Sequence, residues 1–84
     1  MPSALDIWTQ QVRKMAKIET NLKQVRESKG MTQKELADIL EIRRETIVHL
    51  ERNKYNPSLE LALKISKVFQ LPVESLFKLA GEND

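Results

Sequence analysis

The chain has 84 residues, the size of a single domain. It contains no Cys, which excludes disulfides and thiolate metal sites and gives no sign of an oxidising compartment. Net charge is only +2, and the excess sits in residues 1–17, where Arg13, Lys14 and Lys17 stand against Asp6 alone; any nucleic-acid-binding face must come from local placement of charge.

The N-terminal stretch has no apolar run of signal-peptide length, and no segment approaches the roughly 20 apolar residues needed to cross a bilayer. The expectation is a cytoplasmic protein with no membrane association. Two Gly, three Pro, few aromatic residues and no internal repeat favour an all-helical domain. A chain this short has a limited core, so compact helix packing or a partner subunit should supply part of its stability.

In residues 5–17, Leu5, Trp8, Val12 and Met15 recur at helical spacing. The stripe continues through Ile18, Leu22 and Val25, so the pattern predicts a helix that runs on or breaks near Thr20 and Asn21. Residues 21–29 form the next predicted helix, with Leu22, Val25 and Arg26 inward, and Gly30 suits a left-handed cap after it. Thr32-Gln33-Lys34-Glu35 has the Thr-x-x-Glu spacing of a capping box and opens a helix over 33–40, with Leu36, Ala37 and Leu40 on one face. A break near Glu41 and Ile42 leads to a second short helix over 44–52, with Ile47 and Leu50 inward. Asn53 to Pro57 is a loop by its turn residues. Ser58 is a good N-cap for a helix to Phe69, with Leu59, Ala62, Ile65 and Phe69 as its predicted buried stripe. Residues 73–79 read as a short helix or an extended segment, and residues 80–84 as a frayed end.

Two short helices joined by a tight turn, within a small helical bundle, is the layout of a helix-turn-helix reader, here over about 33–52. Ala37 is small where the second helix passes, and Ile47 and Leu50 clamp that helix down. Arg43, Arg44, Glu45, Thr46 and His49 are left facing outward. The chemistry suits DNA. Arg44 can donate two hydrogen bonds to guanine O6 and N7, worth about 1–3 kcal/mol of discrimination. Arg43 can reach a base or a phosphate, and Glu45 can accept from cytosine N4 or orient Arg44. Arg52 and Lys54 suit sequence-independent anchoring.

Residues 18–79 resemble the Xre/Cro/lambda-repressor-like helix-turn-helix family. The resemblance is carried by Thr32-Gln33-Lys34-Glu35-Leu36-Ala37, Arg44-Glu45-Thr46-Ile47, Leu50-Glu51 and the run from Lys54 to Ala62. It implies a compact five-helix DNA-binding domain over 18–84, preceded by an extension over 1–17 that is expected to be an extra helix. It implies base contacts from Arg43, Arg44, Glu45 and His49, and phosphate contacts from Gln33, Thr46, Arg52, Lys54 and Asn56. Arg26 and Glu51 match a buried ion pair that ties the first helix to the end of the recognition helix.

Three positions differ from the family's pattern. Glu41 stands where the turn commonly has Gly. A left-handed backbone there would cost about 1 kcal/mol, which predicts a differently shaped turn. Arg43 stands where Ser or Thr usually caps the recognition helix, at an end where the helix dipole disfavours positive charge. Asn53 replaces a loop Gly and tolerates left-handed geometry.

No catalytic set is visible: no Cys nucleophile, no paired His, no Gly-rich phosphate loop. His49, the only His, has no second ligand candidate beside it, so neither a metal nor another cofactor is expected. The expected function is a transcriptional regulator, a repressor binding double-stranded DNA at a pseudo-palindromic operator as a homodimer. Apolar residues left over at the C-terminus (Leu71, Val73, Leu76, Phe77 and Leu79) are the expected dimer contact. The alternative is an antitoxin-type interaction module that also binds its own promoter and grasps a protein partner through residues 1–17.

Overall fold

The computed structural model describes residues 3–6 and 17–80. The predicted helix over 5–17, with Trp8, Val12 and Met15, lies outside the described residues except at its ends; of the end predicted to fray over 80–84 only Ala80 is described, and its N–H is held by the Lys17 carbonyl at 2.8 Å. Residues 4–6 are helical, and Ser3 and Asp6 exchange backbone-to-side-chain hydrogen bonds of 3.2 and 3.4 Å.

From Lys17 onward the order is β1 (Ile18–Thr20), α1 (Leu22–Ser28), α2 (Gln33–Leu40), α3 (Arg44–Glu51), α4 (Leu59–Phe69), α5 (Val73–Leu76) and β2 (Phe77–Leu79). The two strands pair antiparallel, with Ile18 opposite Leu79 and Thr20 opposite Phe77. The fold is therefore mostly helical, with a small sheet that the all-helical expectation lacked. Ile18 belongs to a strand, and the helical stripe does not run through it into Leu22. The segment after Pro72 is both predicted forms in succession, one helical turn and then a strand.

Three of the helices start at a local hydrogen bond. Thr32 accepts from the Glu35 N–H while Glu35 accepts from the Thr32 N–H, closing the capping box that opens α2. Ser58 accepts from the Leu61 N–H and opens α4. Helix α1 draws its first cap from the strand: Thr20 Oγ1 accepts from the Leu22 N–H and donates to the Leu76 carbonyl at 2.5 Å.

Four helices end alike. Gly30, Glu41, Asn53 and Gln70 have φ of 66, 58, 58 and 55°, and the residue after each donates back to a carbonyl in the last helical turn. These are left-handed caps, and they absorb carbonyls that would otherwise have no partner. Glu41 thus adopts the left-handed backbone in spite of its side chain, correcting the expectation of a differently shaped turn. Hydrogen bonds from Glu41 N–H to the Asp38 carbonyl and from Ile42 N–H to the Ala37 carbonyl, 3.2 and 3.0 Å, offset its cost.

The core joins Leu22, Leu36, Ala37, Leu40, Ile47, Leu50, Leu61, Ala62, Ile65, Phe69, Leu76 and Phe77. Two expectations change here. Leu59 is 73% exposed, and Leu61 takes its place in the buried stripe. At 3.6 residues per turn Leu59 sits about 120° around α4 from Ile65, beyond the packed face. Leu76 and Phe77, expected at a dimer contact, are sealed inside this chain's own core, while Leu71, Val73 and Leu79 are half-buried.

Candidate nucleic-acid interface

Helix α3 is fixed from one side. Ile47 and Leu50 are buried against the core, and the short left-handed turn at Glu41 sets its angle to α2. The outer side then presents Arg43, Arg44, Glu45 and His49 to solvent, with Thr46 half-buried. Arg43 occupies the N-cap position with extended backbone and no side-chain capping bond. The helix therefore starts with uncapped N–H groups beside two cationic side chains.

Behind this surface lies a buried ion pair. Arg26 Nε donates to Glu51 Oε2 at 2.6 Å, Arg26 Nη2 donates to Oε1 at 3.1 Å, and Arg26 Nη1 donates to the Met31 carbonyl at 2.7 Å. The two side chains are 8% and 3% exposed. The hydrogen bond to Glu51 holds the Arg26 pKa above its ordinary value against burial, which would lower it, with the charges of Glu51 and Glu27 adding to the rise. Breaking such a pair by removing one partner costs about 3–5 kcal/mol, because the other charge is left buried alone. Arg26 and Glu51, singled out from the sequence, are thus brought together, joining α1 to the end of α3.

The pair extends outward. Gln33 Nε2 donates to Glu51 Oε1 at 3.1 Å, and Gln33 Oε1 accepts from Arg44 Nη2 at 3.2 Å. Gln33 therefore touches α3 at both of its ends. A hollow of about 550 Å³ opens here, lined by Arg26, Thr32, Gln33, Lys34 and Arg44 among others. Lys34 also bonds Asp38 one turn on, at 2.9 Å, which raises its pKa.

The loop after α3 carries the remaining predicted residues. Arg52, Lys54 and Asn56 are exposed. Asn56 has a structural duty that the sequence did not show: its Oδ1 accepts from the Ile18 N–H at 3.0 Å. Asn53 Oδ1 likewise accepts from the Thr20 N–H at 3.0 Å, so the loop is stitched to the outer edge of β1. That stitching brings Lys17 to a hollow of about 690 Å³ shared with Arg52, Lys54, Tyr55 and Asn56. Lys17 had no local signal for this placement, since it follows from strand pairing with residues near the other end of the chain. Among the described residues no cluster of three His, Asp or Glu could hold a metal ion, and no helix is long and apolar enough to cross a membrane.

Comparison with known proteins matches the same segment. A family model described as helix-turn-helix covers residues 22–76. An uncharacterized HTH-type transcriptional regulator of Archaeoglobus fulgidus is 55% identical over 58 residues, covering 69% of this chain and 83% of the relative. The HTH-type transcriptional regulator YgzD of Bacillus subtilis is 36% identical over 66 residues, 79% of this chain and 100% of the relative. Among solved structures, the restriction-modification controller protein C.AhdI of Aeromonas hydrophila superposes with a TM-score of 0.60 at 28% identity, over 64% of this chain and 82% of that one.

Proposed function

Because the chain belongs to the helix-turn-helix family, of the Xre and lambda-repressor-like kind, we propose that it is a sequence-specific transcriptional repressor that binds a pseudo-palindromic operator as a homodimer. The observation that carries this reading is the split character of α3. Ile47 and Leu50 are held in the core while Arg43, Arg44, Glu45 and His49 stand open on the outer side. A helix so presented fits the major groove, where its N-terminal side chains meet base edges.

In this reading Arg43, Arg44, Glu45 and His49 contact bases. Gln33, Thr46, Arg52, Lys54 and Asn56 grip phosphates on either side, with Lys17 added to the group around the loop. The uncapped start of α3 supports a phosphate close to Arg43, since an anion there would satisfy free N–H groups and offset the misplaced positive charge. The homodimer doubles a contact set too small to select one genomic site, with recognition helices about 34 Å apart. Leu71, Val73 and Leu79 supply its contact, as the C-terminal apolar residues not wholly used by the core.

Selection of binding sites from random DNA, with the mass of the resulting complex, tests this. The expected result is a two-fold related site carrying two chains. Arg44→Ala should then weaken specific binding by about 1–3 kcal/mol and relax preference at one base pair. Lys54→Ala should weaken binding to every sequence and flatten the salt dependence by about one unit. If both variants kept full operator affinity, the groove assignment would be refuted.

A further inference from the structure

An antiparallel strand turns every second N–H group away from its partner. The Ala80 N–H donates to the Lys17 carbonyl at 2.8 Å, so Lys17 and Ala80 form a bonded pair, and Glu19 with Lys78 is the next one in register. Ile18 and Thr20 therefore aim their N–H groups at the outer edge of β1. An uncovered edge of this kind invites another strand. Here both donors are taken by side chains of the loop after α3: Asn56 Oδ1 accepts from Ile18 and Asn53 Oδ1 from Thr20, each at 3.0 Å. Asn53 has a φ of 58°, which Gly would adopt at no steric cost. What Asn supplies at that position is the oxygen.

We propose that Asn53 and Asn56 are positioning residues for a phosphate clamp of three cations: they fasten the loop to β1 and so set Lys17 beside Arg52 and Lys54. The inference rests on the DNA-binding reading above. It adds the device that brings a cation from outside the helix-turn-helix to the nucleic-acid backbone. Lys17, Arg52 and Lys54 are exposed and line one hollow of about 690 Å³. Glu19 lines it too, but its carboxylate lies 3.8 Å from Lys78 Nζ, so the hollow keeps an excess of positive charge. The backbone at Lys17 is held from two sides, its carbonyl by Ala80 and the following N–H by Asn56. A cation anchored beforehand loses less freedom on meeting a phosphate than one on an unanchored segment.

The test reads the slope of log affinity against log salt concentration, which counts the phosphates that Lys and Arg neutralise, at about 0.9 per contact. A neutral Asn that also touches a phosphate does not enter this count, and a smaller folded fraction lowers affinity at every salt concentration alike. The full chain, Lys17→Gln, the pair Asn53→Gly with Asn56→Ala, and all three changes together are titrated with duplex DNA of arbitrary sequence from about 50 to 200 mM salt. Lys17→Gln should flatten the slope by about one unit, the Asn pair by at least as much, and the triple variant no further than the pair. Asn53→Gly alone keeps the left-handed backbone and should flatten the slope in the same direction, which decides the matter should the pair not fold. An unchanged slope in Lys17→Gln, or in the Asn variants, would overturn the proposal. So would a triple variant a full unit flatter than the pair, because Lys17 would then act without the clasp. A chain that binds duplex DNA but selects no site would overturn the operator reading and leave the clamp to its own slopes. One that binds no duplex DNA would overturn both.

Discussion

Glu41 shows how a single residue can hold an unfavourable backbone in place. Its φ of 58° and ψ of 44° belong to a region where a β-carbon costs about 1–2 kcal/mol. The geometry persists because the two backbone bonds behind it and the packing of α3 over Ala37 require it. Gly would remove the steric cost, while losing about 0.5–1 kcal/mol through its freer unfolded chain. Glu41→Gly is therefore expected to raise stability by about 0.5–1 kcal/mol, read as a higher urea midpoint at unchanged slope. Gly30 is the converse. A β-carbon there would meet nothing within 4 Å, so Gly30→Ala should destabilise through its φ of 66° alone.

Among the elements, α2 depends most visibly on its first turn. Glu35 accepts from the Thr32 N–H at 2.8 Å, and this bond, with the Thr32 side chain, holds its carboxyl below the ordinary value of a glutamate. A carboxyl lowered on folding contributes stability that is complete above the unfolded value and fades as pH drops through the folded one. Comparing urea midpoints of the parent and Glu35→Gln from neutral pH down to about pH 3 should show the parent's advantage shrinking below about 4.5. An advantage that stayed constant with pH would mean that the box acts only through its neutral geometry.

The elements also show where sequence patterning succeeds. α1 to α4 were legible because each carries its own signals within a few residues: a stripe at helical spacing, Thr32 or Ser58 before it, Gly30 or Asn53 after it. The outward placement of Arg43, Arg44, Glu45 and His49 and the Arg26–Glu51 pair were legible through motif register. The strands were not. Three residues are too few to display alternation, and Ile18 falls four and seven residues before Leu22 and Val25, in step with a helix. Its true partner, Leu79, is remote in sequence. The same remoteness hid the roles of Asn53 and Asn56 as fasteners of β1 and the placement of Lys17.

At the scale of the molecule, the C-terminal segment closes the core. Phe77, 9% exposed, follows one turn of helix and pairs with Thr20 across the sheet. Phe77→Ala should cost about 3–5 kcal/mol of folding stability, as large aromatic truncations in cores do. The loss should be the same at all protein concentrations, which chemical denaturation over a hundredfold concentration range would check. A strong concentration dependence would instead place Phe77 between subunits. The distinction matters for any assembly, since only side chains that the fold leaves partly open are available to a second copy.

The sheet also fixes where the chain enters and leaves. Ala80 N–H donates to the Lys17 carbonyl at 2.8 Å, so the two departure points abut. Both line the hollow of Arg52, Lys54 and Asn56. The segments before Lys17 and after Ala80 therefore join the sheet side by side, next to the cationic loop. A probe meant to stay clear of that loop belongs on the outward side of α4, where Leu63 and Lys67 are exposed.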